Sequence, residues 1–203
     1  MKIVHTEYLV KAGIFPSSQE WKAIERDIQQ AIKAIVWPKG SRVFTIYPQS
    51  GKERGEGNGV KPIKDAFCLK LKQKGWELET RLPIAKSKNP GPVDATKRLG
   101  GDQFFAAEWE TGNISSSHRA LNKMALGIKR GILKGGVLIL PTRRLYPYLT
   151  DRIGNFEEIE PYFDLWRSVT CADGILAVIA VEHDATSNKV PRIKKGTDGR
   201  ALI

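Results

Sequence analysis

Pro92-Val93-Asp94, then thirteen residues, then Glu108-Trp109-Glu110 is the stretch on which the reading of this chain turns. Gly100-Gly101 lies between its acidic ends and marks a tight turn, so Val93–Arg98 and Gln103–Glu110 are expected as the strands of one hairpin. Side chains two apart on a strand leave the same face. Glu108 and Glu110 then project together, and Asp94 on the adjacent strand can face them. Three carboxylates at one point repel each other unless a cation offsets them. Mg²⁺ suits such a set, because it takes carboxylate oxygens and keeps waters for a substrate phosphate. Held by Asp94 and Glu108, it withdraws charge from a phosphodiester and acidifies an attacking water. Glu110 is placed to orient that water or take its proton. Glu79, closing Trp76-Glu77-Leu78-Glu79, is the candidate ligand for a second ion. The plainer alternative makes these acids solvated strand residues paired with Lys97 or Arg98.

Outward from the hairpin, the periodicities predict helices packed on a sheet. Ser18 to Ile35 keeps Trp21, Ile24, Ile28, Ile32 and Ile35 at helical spacing, with Ser17 or Ser18 as cap and Trp37-Pro38-Lys39-Gly40 as its stop. Val43–Tyr47 is a short strand candidate, and the Gly- and charge-rich stretch Gln49–Asn58 reads as a mobile loop. A second helix starts at Pro62, burying Ile63, Phe67 and Leu71. Ser116 to Leu133 carries one apolar stripe (Leu121, Met124, Ala125, Ile128, Ile132) and is expected to end at Gly135-Gly136. Val137–Leu140 and Gly174–Val181 are continuous apolar runs, as in central strands. Gly154–Trp166 is expected as a helix capped by Asn155 and kinked or divided by Pro161. The alternation gives a single α/β domain over residues 1–203, with a mixed sheet between helices.

Composition narrows the function. Of 203 residues, 41% are apolar and 27% charged, a globular mix. The net charge of +11 and a pI near 9.7 suggest a polyanionic partner, nucleic acid or a membrane surface. No run is apolar enough to span a bilayer, and no secretory leader follows Met1. The two distant cysteines, Cys68 and Cys171, argue against zinc and fit buried thiols in a reducing cytoplasm.

The residues after the acidic strand add a resemblance. Glu108-Trp109-Glu110-Thr111-Gly112-Asn113-Ile114-Ser115-Ser116-Ser117-His118-Arg119 resembles the active-site strand and following helix of the BamHI family of type II restriction endonucleases. Asn58–Lys64, Tyr148–Arg152, Asn155–Phe163 and Lys195–Gly199 are similar to further stretches of that family, in the same order. The resemblance implies the restriction-endonuclease (PD-(D/E)xK) fold, a homodimer, and cutting of double-stranded DNA within GGATCC to leave four-base 5′ overhangs. It makes Asp94 and Glu108 metal ligands together with the Trp109 carbonyl, puts Glu110 in the general-base place, and aligns Glu79 with a second-metal glutamate. Mn²⁺ or Ca²⁺ can stand in for Mg²⁺ in binding. Asn113, Ser115 and Arg119 match base-reading positions, as do the pairs Asp151-Arg152 and Asp198-Gly199. Lys64 and Arg200 join the DNA-binding set. The chemistry agrees: Arg donates to guanine O6 and N7, and Asp accepts from cytosine N4. Lys129 and Arg130 are expected to pair with Asp164 across the dimer. A companion methyltransferase is implied, without direct contact. Arg200 stands where the family pattern has methionine, the family's C-terminal extension is absent after Ile203, and Gln49–Asn58 is longer than its counterpart.

Bland readings compete at several places. His118 serves packing or a phosphate better than catalysis. Asp151-Arg152 taken alone is a surface ion pair of little energetic weight. Two other functions share the pattern: a non-catalytic DNA-binding protein, and a repair nuclease that cuts by DNA shape. A plasmid digest with and without Mg²⁺ separates the first, and discrete bands from DNA carrying GGATCC exclude the second.

Overall fold

A computed structural model describes residues 1–53, 55–85, 91–110, 112–150 and 153–195. Its centre is made by the two most apolar strands, β6 (Leu133–Pro141) and β7 (Gly174–Glu182), which run parallel. Alternate residues feed opposite faces: Ile175, Ala177 and Ile179 join one core cluster, Leu176, Val178 and Ala180 the other. β5 (Phe104–Trp109) lies parallel to β6, and β4 (Val93–Arg98) and β3 (Glu77–Thr80) follow antiparallel. β1 (Lys2–Ala12) closes the other edge, antiparallel to β7, giving the order β1-β7-β6-β5-β4-β3. Mixed pairing inside helical layers is the expected architecture.

α1 (Gln19–Lys33) and α2 (Lys61–Gln73) cover one face, burying Ile28, Ile32, Phe67 and Leu71 with Phe105 and Val137. The Ser18 hydroxyl caps α1, accepting from the Trp21 N–H at 3.0 Å. α3 (Ile114–Lys129), α4 (Phe156–Ile159) and α5 (Phe163–Arg167) cover the other face through Leu121, Met124, Ile159 and Trp166. Pro161 sits in a 3₁₀ turn, Glu160–Tyr162, that separates α4 from α5. A short parallel pair, β2 (Thr45–Ile46) with β8 (Ala185–Thr186), lies apart from the main sheet.

Several boundaries differ from the sequence expectation. α3 starts two residues early, because the Asn113 side chain caps it, and stops at Lys129 with Gly131 in the left-handed conformation (φ 69°). Gly135-Gly136 therefore does not end the helix. Both glycines lie inside β6, where a Cβ on Gly135 would stand 2.5 Å from the Ile175 carbonyl oxygen and one on Gly136 2.4 Å from the Met124 sulfur. β1, which carries no clean alternation, and β3, which is only four residues long, were not anticipated; both are half-exposed edge strands. Gln49–Asn58 is pinned against the Tyr146–Thr150 region, with the Gly51 N–H donating to the Pro147 carbonyl at 2.9 Å. Among the described residues no helix is long and apolar enough to cross a membrane. Both cysteines are free thiols; burial, reinforced by the Asp94 charge, pushes Cys68 up to about 12.

Candidate active site

The antiparallel register of β4 and β5 pairs Ala95 with Ala107, and its next step sets Asp94 against Glu108. The Asp94 N–H donates to Glu108 Oε2 at 3.2 Å, and the Trp109 N–H donates to Asp94 Oδ2 at 2.9 Å. Only 8% of Asp94 and 9% of Glu108 are exposed. Two adjacent anions removed from water need counter-charge, and two lysines provide it. Lys64 of α2 reaches Asp94 Oδ1 at 2.6 Å, and Lys123 of α3 reaches Glu108 Oε1 at 2.5 Å. Lys123 also donates to the Pro92 carbonyl at 3.0 Å. Burial, then the neighbouring Asp94 charge, holds Glu108 above the usual carboxylate range despite Lys123. Burial acts to lower the Lys64 ammonium, but attraction and hydrogen bonding to Asp94, with help from Glu79, leave it raised.

Glu110 follows β5 and is also buried, with its N–H donating to the Ile139 carbonyl at 3.1 Å. Its carboxylate accepts from the Gly112 N–H at 2.5 Å and the Ser117 hydroxyl at 3.3 Å. Asp94, Glu108 and Glu110 therefore line one cleft of about 440 Å³, shared with Lys64, Arg119 and Lys123. The plainer pairing does not occur: Lys97 donates to the Lys74 and Gly75 carbonyls, and Arg98 pairs with Asp102. Glu79 lies outside this lining. Its side chain is 60% exposed, 3.9 Å from Lys64, on a residue whose φ of 52° is left-handed. Such a backbone costs a non-glycine residue roughly 1 kcal/mol or more.

Among the described residues, no three His, Cys, Asp or Glu side chains are grouped as ligands for a metal ion. Glu79, the expected ligand of a second ion, thus does not join Asp94 and Glu108; ammonium groups stand against those two carboxylates. The donors that do meet, two buried carboxylates, are hard oxygens of the kind Mg²⁺ takes. Their chemistry fits such an ion.

The base-reading candidates at the start of α3 are exposed: Asn113, Ser115 and Arg119. Asn113 Oδ1 accepts from the Ser116 N–H at 3.3 Å, so its oxygen serves the cap, and the Arg119 guanidinium lies 3.5 Å from the Ser116 hydroxyl. Asp151, Arg152, Asp198, Gly199 and Arg200 lie outside the described residues. The expected dimer pairs are engaged within the chain: Arg130 donates to the Ile84 carbonyl, and Asp164 pairs with Arg167 at 2.8 Å. Lys129 is exposed. His118 packs edge-on to Tyr162 (4.7 Å between ring centres) and beside Trp166, a packing role as expected. Lys123 was missed. Its signal was present, since it lies four residues after Arg119 and so on the same side of α3.

A mixed sheet that brings buried acids and lysines to one edge of an antiparallel pair is the arrangement of a class of protein, the DNA-hydrolysing nucleases, to which the relatives of this chain belong. The chain belongs to the BamHI restriction endonuclease family, whose description, Restriction endonuclease BamHI, matches residues 1–200. It is 50% identical over 202 residues to the type II restriction enzyme OkrAI of Oceanobacter kriegii, covering all of both chains. It is 37% identical over 203 residues to the type II restriction enzyme BamHI of Bacillus amyloliquefaciens, covering 93% of this chain and 91% of that one. In fold it is similar to the restriction endonuclease BglII in complex with a DNA 16-mer, with a TM-score of 0.61 at 13% identity, over 91% of this chain and 79% of the other. The family is one of DNA-hydrolysing nucleases.

Proposed function

We propose that this chain is a type II deoxyribonuclease that, as a homodimer, cuts double-stranded DNA at GGATCC and leaves four-base 5′ overhangs. The observation that carries the reading is the apposition of Asp94 and Glu108 in a cleft that also holds Lys64, Lys123 and Arg119. The site sequence and cut position rest on likeness to OkrAI and BamHI.

Asp94, Glu108 and the Trp109 carbonyl would hold Mg²⁺, with Glu79 at a second position if its side chain turns inward. When bound, the ion supplies charge withdrawal from the phosphoryl oxygens and makes water a better nucleophile. Glu110, fixed by Gly112 and Ser117, orients the attacking water and takes its proton. Lys64 and Lys123 turn their charge from carboxylate to phosphate. Arg119, Asn113 and Ser115 meet base edges in the major groove, and the pairs Asp151-Arg152 and Asp198-Gly199 read others. The palindrome follows from two-fold symmetry, each subunit reading half. On α5 and the turn before it, Leu165 is 62% and Tyr162 52% exposed, and they give a second copy an apolar seat next to Asp164.

The test is digestion of a plasmid carrying one GGATCC, with Mg²⁺ and with chelator, followed by run-off sequencing of the ends. Fragments of one length with staggered ends support the reading. Cutting unrelated to that site, or unaffected by chelator, overturns it.

A further inference from the structure

The core-facing stripe of α3 is apolar except where it begins. Ser117 precedes Ala120, Leu121, Met124, Ala125 and Ile128 on that face and is 0% exposed. A buried hydroxyl needs a partner, and a serine inside a helix can find it in the carbonyl four residues back. Ser117 turns out of the helix instead, and its hydroxyl donates to Glu110 Oε2 at 3.3 Å. The other carboxylate oxygen, Oε1, accepts from the Gly112 N–H. Each oxygen of Glu110 thus meets a donor from the start of α3, one of the main chain and one of a side chain.

The main chain around these donors is closely fitted. A Cβ on Gly112 would stand 3.1 Å from Glu110 Oε1 and 2.9 Å from the Ser116 hydroxyl oxygen, so glycine lets the N–H come up to the carboxylate. Behind Ser117 lies Gly154, where a Cβ would stand 2.9 Å from the Ser117 hydroxyl oxygen. The Gly154 N–H donates to the Gly112 carbonyl at 2.9 Å, so one segment backs both donors. Farther along the same helix, Lys123 pairs with Glu108 at 2.5 Å.

We propose that Ser117 is a positioning residue, whose hydroxyl fixes the Glu110 carboxylate so that it meets the attacking water in the cleft at a set angle. The proposal rests on the reading of Glu110 as the general base. A glutamate carboxylate turns about its last side-chain bond through a broad and soft torsion, and each donor on its oxygens narrows that motion. A base has to meet its water to within about 0.5 Å and 10–20°. Packing alone does not call for a hydroxyl here, since alanine would fill the stripe without a polar atom to satisfy. α3 thereby orders both acids of β5 and its end: Glu110 through Ser117, and Glu108 through Lys123.

The test measures single-turnover cleavage of a duplex carrying GGATCC, alongside binding of the same duplex in a gel shift without Mg²⁺. Wild type is compared with Ser117→Ala, Ser117→Cys, Glu110→Ala, the double variant of Glu110→Ala with Ser117→Ala, and Ala125→Gly, a destabilising control two turns farther along the same stripe. Cysteine fills the space of serine but is a weak donor. Ser117→Ala and Ser117→Cys should each lower the cleavage rate by roughly ten- to a hundredfold, with binding within about twofold of wild type. Ala125→Gly should cut within about twofold of wild type, whatever its loss in Tm. In the Glu110→Ala background, Ser117→Ala should slow cleavage by less than about twofold more, because the group it acts through is gone. Wild-type cutting by Ser117→Cys would make the residue a space-filler, equal slowing by Ala125→Gly would trace the loss to packing of α3, and a full further loss in the double variant would put the effect elsewhere; each overturns the positioning role alone. Should Glu110→Ala cut too slowly for that comparison, Ser117→Cys decides. If wild type leaves the duplex uncut, or Glu110→Ala cuts it at the wild-type rate, the reading beneath the proposal falls, and the role of Ser117 falls with it.

Discussion

In the acidic cleft, Asp94 and Glu108 are met by ammonium groups at 2.6 and 2.5 Å; at Asn58, a neutral amide meets three main-chain atoms at 2.8 to 3.0 Å. Both arrangements satisfy buried polar groups. They differ in what can be exchanged. Lysine ends a flexible four-carbon stem and can yield its place to another cation. Main-chain partners cannot leave without moving the chain. Under the proposed function, exchangeable counter-charges stand where ion and phosphate would enter, whereas fixed main-chain bonds hold the segments at Asn58 together.

The largest expected effect breaks the cleft side of this contrast. Glu108→Ala should lower the single-turnover cleavage rate by about three orders of magnitude or more, at least ~4 kcal/mol of activation free energy. DNA binding in a gel-shift assay without Mg²⁺ should survive or tighten, because a negative charge near phosphate is gone. Unimpaired cutting would leave the buried acid pair without a catalytic role.

On the other side of the contrast, Asn58→Ala leaves the buried Ile193 N–H without its acceptor and removes one of two donors from each of the Tyr47 and Tyr148 carbonyls, which keep the Gln49 and Asn58 main-chain N–H groups. The cost should be about 2–3 kcal/mol, or roughly 4–10 °C in Tm for a chain of this size. Calorimetry that finds less than 1 °C would mean that water replaces the amide there.

Exchangeability itself is tested by Lys123→Met. Without DNA, Mn²⁺ titrated calorimetrically should bind about tenfold more tightly than to wild type, since the competing ammonium is removed. Weaker DNA binding should accompany it. Unchanged Mn²⁺ affinity would show that Lys123 does not occupy a cation position.

The smallest effect concerns a charged pair that faces neither ion nor DNA. Asp173 accepts from the Phe15 N–H and pairs with Lys134, both at 2.7 Å. Burial works to raise its carboxyl, but Lys134 and the main-chain N–H groups outweigh it and hold it below the ordinary 3.8. A folded-state value depressed in this way adds stability above the unfolded carboxylate range, and that stability is lost as pH falls through the lowered value. Asp173→Asn should therefore lower Tm at neutral pH and leave it nearly unchanged at the acid end, flattening the acid limb of a Tm-against-pH profile. An acid limb as steep as wild type would assign it to other carboxylates.

The two regions also differ in how far they were legible. Asp94, Glu108 and Glu110 announced themselves through residue type and strand spacing, and continuous apolar runs marked β6 and β7. Lys123 was legible only once α3 had a face. Asn58 was not, because its partners are main-chain atoms of segments far along the chain, which no local pattern encodes. The stretch before it read as a loose loop for the same reason: glycine signals freedom of conformation, yet here Gly51, Gly57 and Gly59 admit close contact. Edge strands β1 and β3 escaped detection because the burial of β1 follows no two-residue period and β3 is only four residues long.

The pairing of β1 with β7 sets Lys2 beside Glu182. β1 thus has to wait for β7 to be made, a loop closure spanning about 160 residues and correspondingly slow. Until then β6 has an open flank while β4, β5 and α3 have already emerged. A nascent chain of this design cannot complete its main sheet until β7 has been made.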